Sequence, residues 1–89
     1  MASWRIVRVA DLTAELVAID SVNPALVPGA RGEDEMARRV ADEMRAAGLE
    51  LHVQEAAAGR PNVVGALKGR AAGRTLMLCG HLDTVGVTG

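Results

Sequence analysis

The chain has 89 residues, 49% of them hydrophobic and 24% charged, which is typical of one small globular domain or a piece of a larger one. Ten basic and eleven acidic residues give a formal charge of -1, and Trp4 is the single aromatic residue, so we expect neither a nucleic-acid partner nor a membrane partner. No apolar stretch at the start is long enough for a signal peptide or a membrane span, and the expected location is the cytoplasm.

Two helices are predicted in the first half of the chain. From Arg5 to Asp20 the apolar residues recur at steps of three and four, the spacing of one helical face: Val9, Leu12, Leu16 and Ile19. Asn23 before Pro24 ends this helix, because the residue before a proline is disfavoured in helical geometry. A second helix opens at Glu33, Asp34 and Glu35 and closes at Gly48. Its apolar stripe comprises Met36, Ala37, Val40, Ala41, Met44 and Ala47.

Three strands are predicted after Gly48. "LELHVQE" (49–55) alternates apolar and polar residues, "NVVGALKG" (62–69) is a second strand, and "RTLMLCGH" (74–81) is a third without polar alternation. The turn "RAAG" predicts that the last two strands form an antiparallel hairpin, with the third strand central and Cys79 in the core. The expected fold class is therefore α/β, with helices packed on a sheet whose open edge needs a further strand.

His81 and Asp83 follow the third strand. Side chains two apart on an extended segment project to the same side, so the carboxylate can accept a hydrogen bond from one imidazole nitrogen and orient the other toward a metal ion. The same spacing is also compatible with an ordinary strand-end turn in which Asp83 caps local backbone. A catalytic zinc ion normally takes three protein ligands, so His81 cannot complete such a site alone.

The motifs "GHLDTV" (80–85) and "PNV" (61–63), together with the flanking "AAGLELHVQE", have a counterpart in a known family. The chain resembles the two-zinc amidohydrolases that include acetylornithine deacetylase, succinyl-diaminopimelate desuccinylase and glutamate-releasing carboxypeptidases. The likeness runs from the "SVNP" segment to Gly89. It implies that residues 1–89 are the amino-terminal fragment of a three-layer α/β/α metallohydrolase catalytic domain, without the rest of that domain and without the family's inserted dimerisation domain.

The resemblance also implies roles for the two site residues. His81 would ligate one of two zinc (or cobalt) ions, and Asp83 would be the catalytic-site carboxylate that orients it. The implied reaction is hydrolysis of an amide bond in an N-acyl amino acid or peptide, with "ALVPGARGEDE" favouring a deacetylase-like member, and full-length relatives are expected to be homodimers. The bridging aspartate, the glutamate base and the other ligands lie downstream in the family, and substrate-binding residues are not identified. We therefore expect the 89 residues alone to be inactive, with at most weak zinc binding through His81, His52 or Cys79.

Two other classes of function remain open from the sequence. One is a non-catalytic α/β interaction module that pairs its open sheet edge with another protein, which a stable, defined oligomer would favour. The other is a small freestanding α/β domain with an unrelated binding role, which a well-folded monomer with a sharp thermal transition would favour.

Overall fold

The computed structural model describes residues 8–86, which form two helices followed by one antiparallel two-stranded sheet. Helix α1 spans Val9–Val17, helix α2 spans Asp34–Ala46, strand β1 spans Glu50–Ala57 and strand β2 spans Arg60–Ala66. The expected mixture of helices and strands is confirmed, whereas the predicted start of the first helix at Arg5 lies outside the described residues. Within 8–86, no helix is both long enough and apolar enough to cross a membrane.

Helix α2 supplies the buried centre of the structure. The buried hydrophobic residues among those described all lie on its predicted apolar stripe: Met36, Ala37 and Ala41. Val40 and Met44 are half-buried, and Ala47 is exposed because it follows the last helical turn. Gly48 then takes a φ of 86°, the left-handed conformation predicted for it, which glycine adopts without steric cost.

Helix α1 packs only partly against the rest of the described chain. None of its residues is buried; Val9, expected on the packed face, is exposed, whereas Leu12 and Leu16 of that face are half-buried. An ion pair between Glu15 and Arg39 joins α1 to α2, and Arg39 also donates to Glu43 at 2.8 Å. An exposed ion pair contributes little to stability. Most of the stability of α1 must therefore come from packing against other parts of the protein.

The sheet is a hairpin of β1 and β2. Val53 lies opposite Val63 and Leu51 opposite Gly65, while Ala58 and Gly59 make the turn. Gly59 has a φ of 71°, and its N–H donates to the Glu55 carboxylate at 2.8 Å. This turn is shorter than the six-residue interval, 56–61, between the first and second predicted strands. A two-residue connection with a left-handed glycine favours pairing of the strands on either side of it.

The predicted hairpin between the second and third strands is not formed. Residues 74–83 contain no strand, and the backbone of residues 74–82 makes no hydrogen bond to another described residue. Leu76, Met77 and Leu78 are 83%, 78% and 88% exposed. Cys79 is exposed as well, which corrects its expected burial. Among the described residues no layer covers either face of this segment, whereas β1 and β2 pair with each other and both contact α2. A three-layer arrangement is likewise not seen in residues 8–86.

A half-buried ion pair joins the sheet to α2, because Glu33 is buried while the Arg60 side chain is 31% exposed. Glu33, immediately before the helix, is 4% exposed and accepts two hydrogen bonds from Arg60 at the start of β2, from Nε at 2.7 Å and from Nη2 at 2.8 Å. The backbone carbonyl of Glu33 also accepts the N–H of Ala37 at 2.8 Å, inside the first turn of α2. Two parallel bonds fix orientation as well as distance, so this pair sets where the hairpin turn lies relative to the helix.

Gly65 leaves room for α2 to approach β2, and we predict that filling this space destabilises the fold. A Cβ at this position would lie 2.8 Å from Sδ of Met44 and 3.1 Å from Cδ1 of Leu49. Gly65→Ala should therefore reduce the free energy of unfolding by about 1 kcal/mol, the low end of the cost of overpacking. Urea titration followed by circular dichroism measures the change. Met44→Ala in the Gly65→Ala background should recover part of the loss, and simple additivity of the two substitutions would contradict the predicted contact.

The ion pair between Glu33 and Arg60 gives a second prediction. Glu33→Gln should lower the urea midpoint clearly, because it leaves the Arg60 guanidinium with a neutral, weaker acceptor. Glu35→Gln is the matched control, since Glu35 is exposed and lies 3.6 Å from Arg31 in a surface pair, where the loss should be small. Equal midpoints for the two variants would show that the Glu33 to Arg60 pair does not anchor the hairpin.

Candidate metal-ligand site at His81 and Asp83

The structure brings the two predicted site residues into contact. Nδ1 of His81 lies 3.0 Å from Oδ1 of Asp83 and 2.8 Å from the backbone carbonyl oxygen of the same residue. The His81 side chain is 83% exposed, whereas that of Asp83 is 29% exposed. The imidazole is therefore attached through one nitrogen, and the rest of the ring is open to solvent.

Asn23 is a further member of this site that the sequence analysis treated only as a helix terminator. Its side-chain Nδ2 donates to Oδ2 of Asp83 at 2.9 Å, across 60 positions of sequence. Its Oδ1 accepts the backbone N–H of Ala25 at 2.8 Å, the turn bond typical of an asparagine before a proline. The dipeptide "NP" predicts the local turn, but no sequence pattern indicates that the Asn23 side chain bonds to Asp83.

Main-chain bonds hold the two segments side by side. The N–H of Thr84 donates to the carbonyl of Ser21 at 3.0 Å, and the N–H of Asn23 donates to the carbonyl of Thr84 at 3.0 Å, a parallel bridge between Val22 and Thr84. Ser21 is buried, and its Oγ has no hydrogen-bond partner among the described residues. The bridge adjoins Asp83 directly, so the backbone of this residue is fixed by the segment that follows α1.

These contacts shift the electrostatics of the site. The hydrogen bond from Asn23 lowers the pKa of Asp83 most, partial burial opposes that effect, and the contact with His81 lowers the pKa further. The pKa of Arg60 is raised, chiefly by its hydrogen bonds to Glu33. The Asp83 carboxylate is thus held in its ionised form, which is the form that accepts a proton-donating imidazole N–H.

The donor set fits one metal ligand and its supporting carboxylate. A neutral imidazole held by a carboxylate through one nitrogen presents the other nitrogen for coordination. Within the part of the chain that the structure describes, no group of three His, Cys, Asp or Glu side chains converges to hold an ion. His52 lies on β1 beside Glu50 at 3.6 Å. A complete zinc centre would require ligands other than those in residues 8–86.

The lowered pKa of Asp83 predicts a pH-dependent contribution to stability. A carboxyl group whose pKa is lower in the folded chain stabilises it above the ordinary pKa of about 3.9, and this contribution is lost as the pH falls through the lowered value. The urea midpoint of the wild-type chain should therefore exceed that of Asp83→Asn by a constant amount between about pH 5 and pH 7, and the difference should shrink below about pH 4. A difference that stays constant or grows toward pH 3 would contradict the assignment.

Comparison with known proteins does not extend this description. No family model, no curated protein and no solved structure matches the chain. The resemblance to the two-zinc amidohydrolases rests on the motifs of the sequence, and the roles of His81 as a metal ligand and Asp83 as its orienting carboxylate stay predictions.

Proposed function

We propose that the chain is the amino-terminal part of the catalytic domain of a metal-dependent amidohydrolase that cleaves N-acyl amino acids or peptides, with a deacetylase-like substrate. The observation that carries this proposal is the geometry of His81, whose Nδ1 lies 3.0 Å from Asp83 while 83% of the side chain is exposed. A histidine in a plain structural role has no need of a carboxylate that is itself held by a third residue, Asn23.

Each residue of this site has a limited task. His81 would give the lone pair of Nε2 to one of two zinc or cobalt ions, and Asp83 would hold Nδ1 so that the ring keeps its orientation. When bound, such a metal pair lowers the pKa of a water molecule and polarises the scissile carbonyl. Proton transfer to the leaving amine requires a general base, which we assign to a glutamate in another segment of a longer protein, as the resemblance implies.

The exposed apolar segment supports the same proposal. Leu76, Met77 and Leu78 expose most of their surface, although such a run of aliphatic residues is typical of a strand buried on both faces. We propose that residues 74–81 are the central strand of a three-layer α/β/α sheet whose neighbouring strands and covering helices come from further sequence.

A non-catalytic interaction module is the second candidate, favoured by the same unpaired backbone at residues 74–82. The two candidates differ in what they require of His81. A hydrolase needs the imidazole open to an ion, whereas an interaction module needs the strand edge and is indifferent to that side chain.

The proposal predicts an in-frame continuation after the codon for Gly89 that encodes the missing acidic and histidine ligands. In the longer protein, His81→Ala should abolish binding of one of the two zinc ions. Asp83→Asn should lower the affinity for that ion by about 10- to 100-fold, the usual effect of removing a group that supports a metal ligand. Zinc content by mass spectrometry under native conditions and competition with a chelator measure both effects.

His52→Ala is the matched control, because His52 is the other histidine, lies exposed on β1, and should leave zinc binding unchanged. The 89-residue chain alone should show no tight stoichiometric zinc site. A submicromolar site in that chain, or full zinc occupancy in the His81→Ala form of the longer protein, would refute the proposal.

A further inference from the structure

The carboxylate of Asp83 is held from two sides. Oδ1 faces Nδ1 of His81 at 3.0 Å, and Oδ2 accepts a hydrogen bond from Nδ2 of Asn23 at 2.9 Å. A carboxylate bound through a single oxygen can rotate about its last bond, whereas one bound through both oxygens to different residues cannot do so without breaking a bond. Asn23 therefore limits the orientations from which Asp83 meets the imidazole.

The side-chain orientation of Asn23 is determined by its other partner. Oδ1 lies 2.8 Å from the backbone nitrogen of Ala25, which can only donate, so the oxygen must be on that side and the amide nitrogen must face Asp83. The backbone carbonyl of Asn23 also accepts the N–H groups of Leu26 and Val27, both at 3.0 Å. Asn23 is thus held by its own turn independently of Asp83, and it can act as an anchor.

The acceptors around Nδ1 of His81 determine which imidazole nitrogen carries the proton. Nδ1 lies 2.8 Å from the carbonyl oxygen of Asp83 and 3.0 Å from its carboxylate, and neither oxygen of the ionised residue can donate. An unprotonated nitrogen at that position would place its lone pair against two acceptors. In the neutral ring Nδ1 is therefore protonated, and Nε2 has the lone pair.

We propose that Asn23 is a positioning residue that, through Asp83, holds neutral His81 in the tautomer with a proton on Nδ1 and a free lone pair on Nε2. Only the identification of Nε2 as the metal-binding atom rests on the proposed function; the choice of tautomer does not. The Val22 to Thr84 bridge brings the segment after α1 beside the segment of Asp83. Asn23, 58 positions before His81, can therefore influence which nitrogen of the His81 ring is protonated.

The test reads the tautomer directly, without metal. Nitrogen-15 chemical shifts of the His81 ring, recorded at about pH 8.5 where an ordinary imidazole is neutral, distinguish a proton on Nδ1 from one on Nε2. The wild-type chain should show the Nδ1-protonated form as the major species. Asn23→Asp keeps an oxygen that can accept the N–H of Ala25 but replaces the donor to Asp83 by a like charge. The backbone carbonyl of Asp83 remains an acceptor for Nδ1, so the fraction of the Nδ1-protonated form should fall below that of the wild-type chain.

Asn62→Asp is the matched control, because Asn62 is an exposed asparagine on β2 and its substitution adds the same charge away from the site. It should leave the tautomer of His81 as in the wild-type chain. A wild-type ring protonated on Nε2, or an Asn23→Asp ring unchanged from wild type, would overturn the proposal.

A second measurement keeps the proposal testable if the Asn23→Asp variant does not fold. Asp83→Ala removes the acceptor of the Asn23 amide without touching the turn at Ala25, so the side-chain amide protons of Asn23 should shift upfield and exchange faster with water. Unchanged amide signals would overturn the proposal. In the longer protein, absence of zinc would refute the proposed hydrolase function while leaving the tautomer result intact, so the two failures are distinguishable.

Discussion

The half-buried ion pair between Glu33 and Arg60 is the constraint on which the arrangement of the described residues depends. It joins the residue immediately before α2 to the start of β2, with a bidentate geometry that fixes the relative orientation of the helix and the hairpin. The hairpin turn also approaches the loop before α2, since the Gly59 carbonyl would lie 3.6 Å from a Cβ at Gly32. That loop follows the segment containing Asn23, so the ion pair also limits where the candidate site can form.

The candidate site is a junction between two distant segments and contains no secondary structure beyond a single bridge. Residues 21–23 and 83–84 are connected by two main-chain bonds and by the amide of Asn23. Closing a loop of this length is entropically costly, and the few bonds at the junction must offset that cost.

The exposed apolar segment and the ordered polar site are adjacent in the chain, and their combination is informative. Leu76 to Leu78 have no covering layer among the described residues, while His81 and Asp83 immediately after them already have defined partners. A site geometry that is set by local and junction contacts can form without the strand that precedes it. The proposed hydrolase role would account for both features, because residues 74–81 would pair with further strands and His81 would bind an ion in the same larger domain.

The sequence alone determined the features that depend on neighbouring residues. The periodicity of α2 and its glycine cap follow from backbone geometry repeated over a few positions, and the contact of His81 with Asp83 follows from their spacing. The extended conformation of β1 was predicted as well, but Val53, expected on its packed face, is 58% exposed. The tertiary structure decided the pairing of β1 with β2, the exposure of Cys79, the burial of Glu33 against Arg60 and the bond from Asn23 to Asp83. These features depend on which distant groups meet, and a single sequence does not record that, because an acidic residue before a helix or an asparagine before a proline has a sufficient local explanation in every fold.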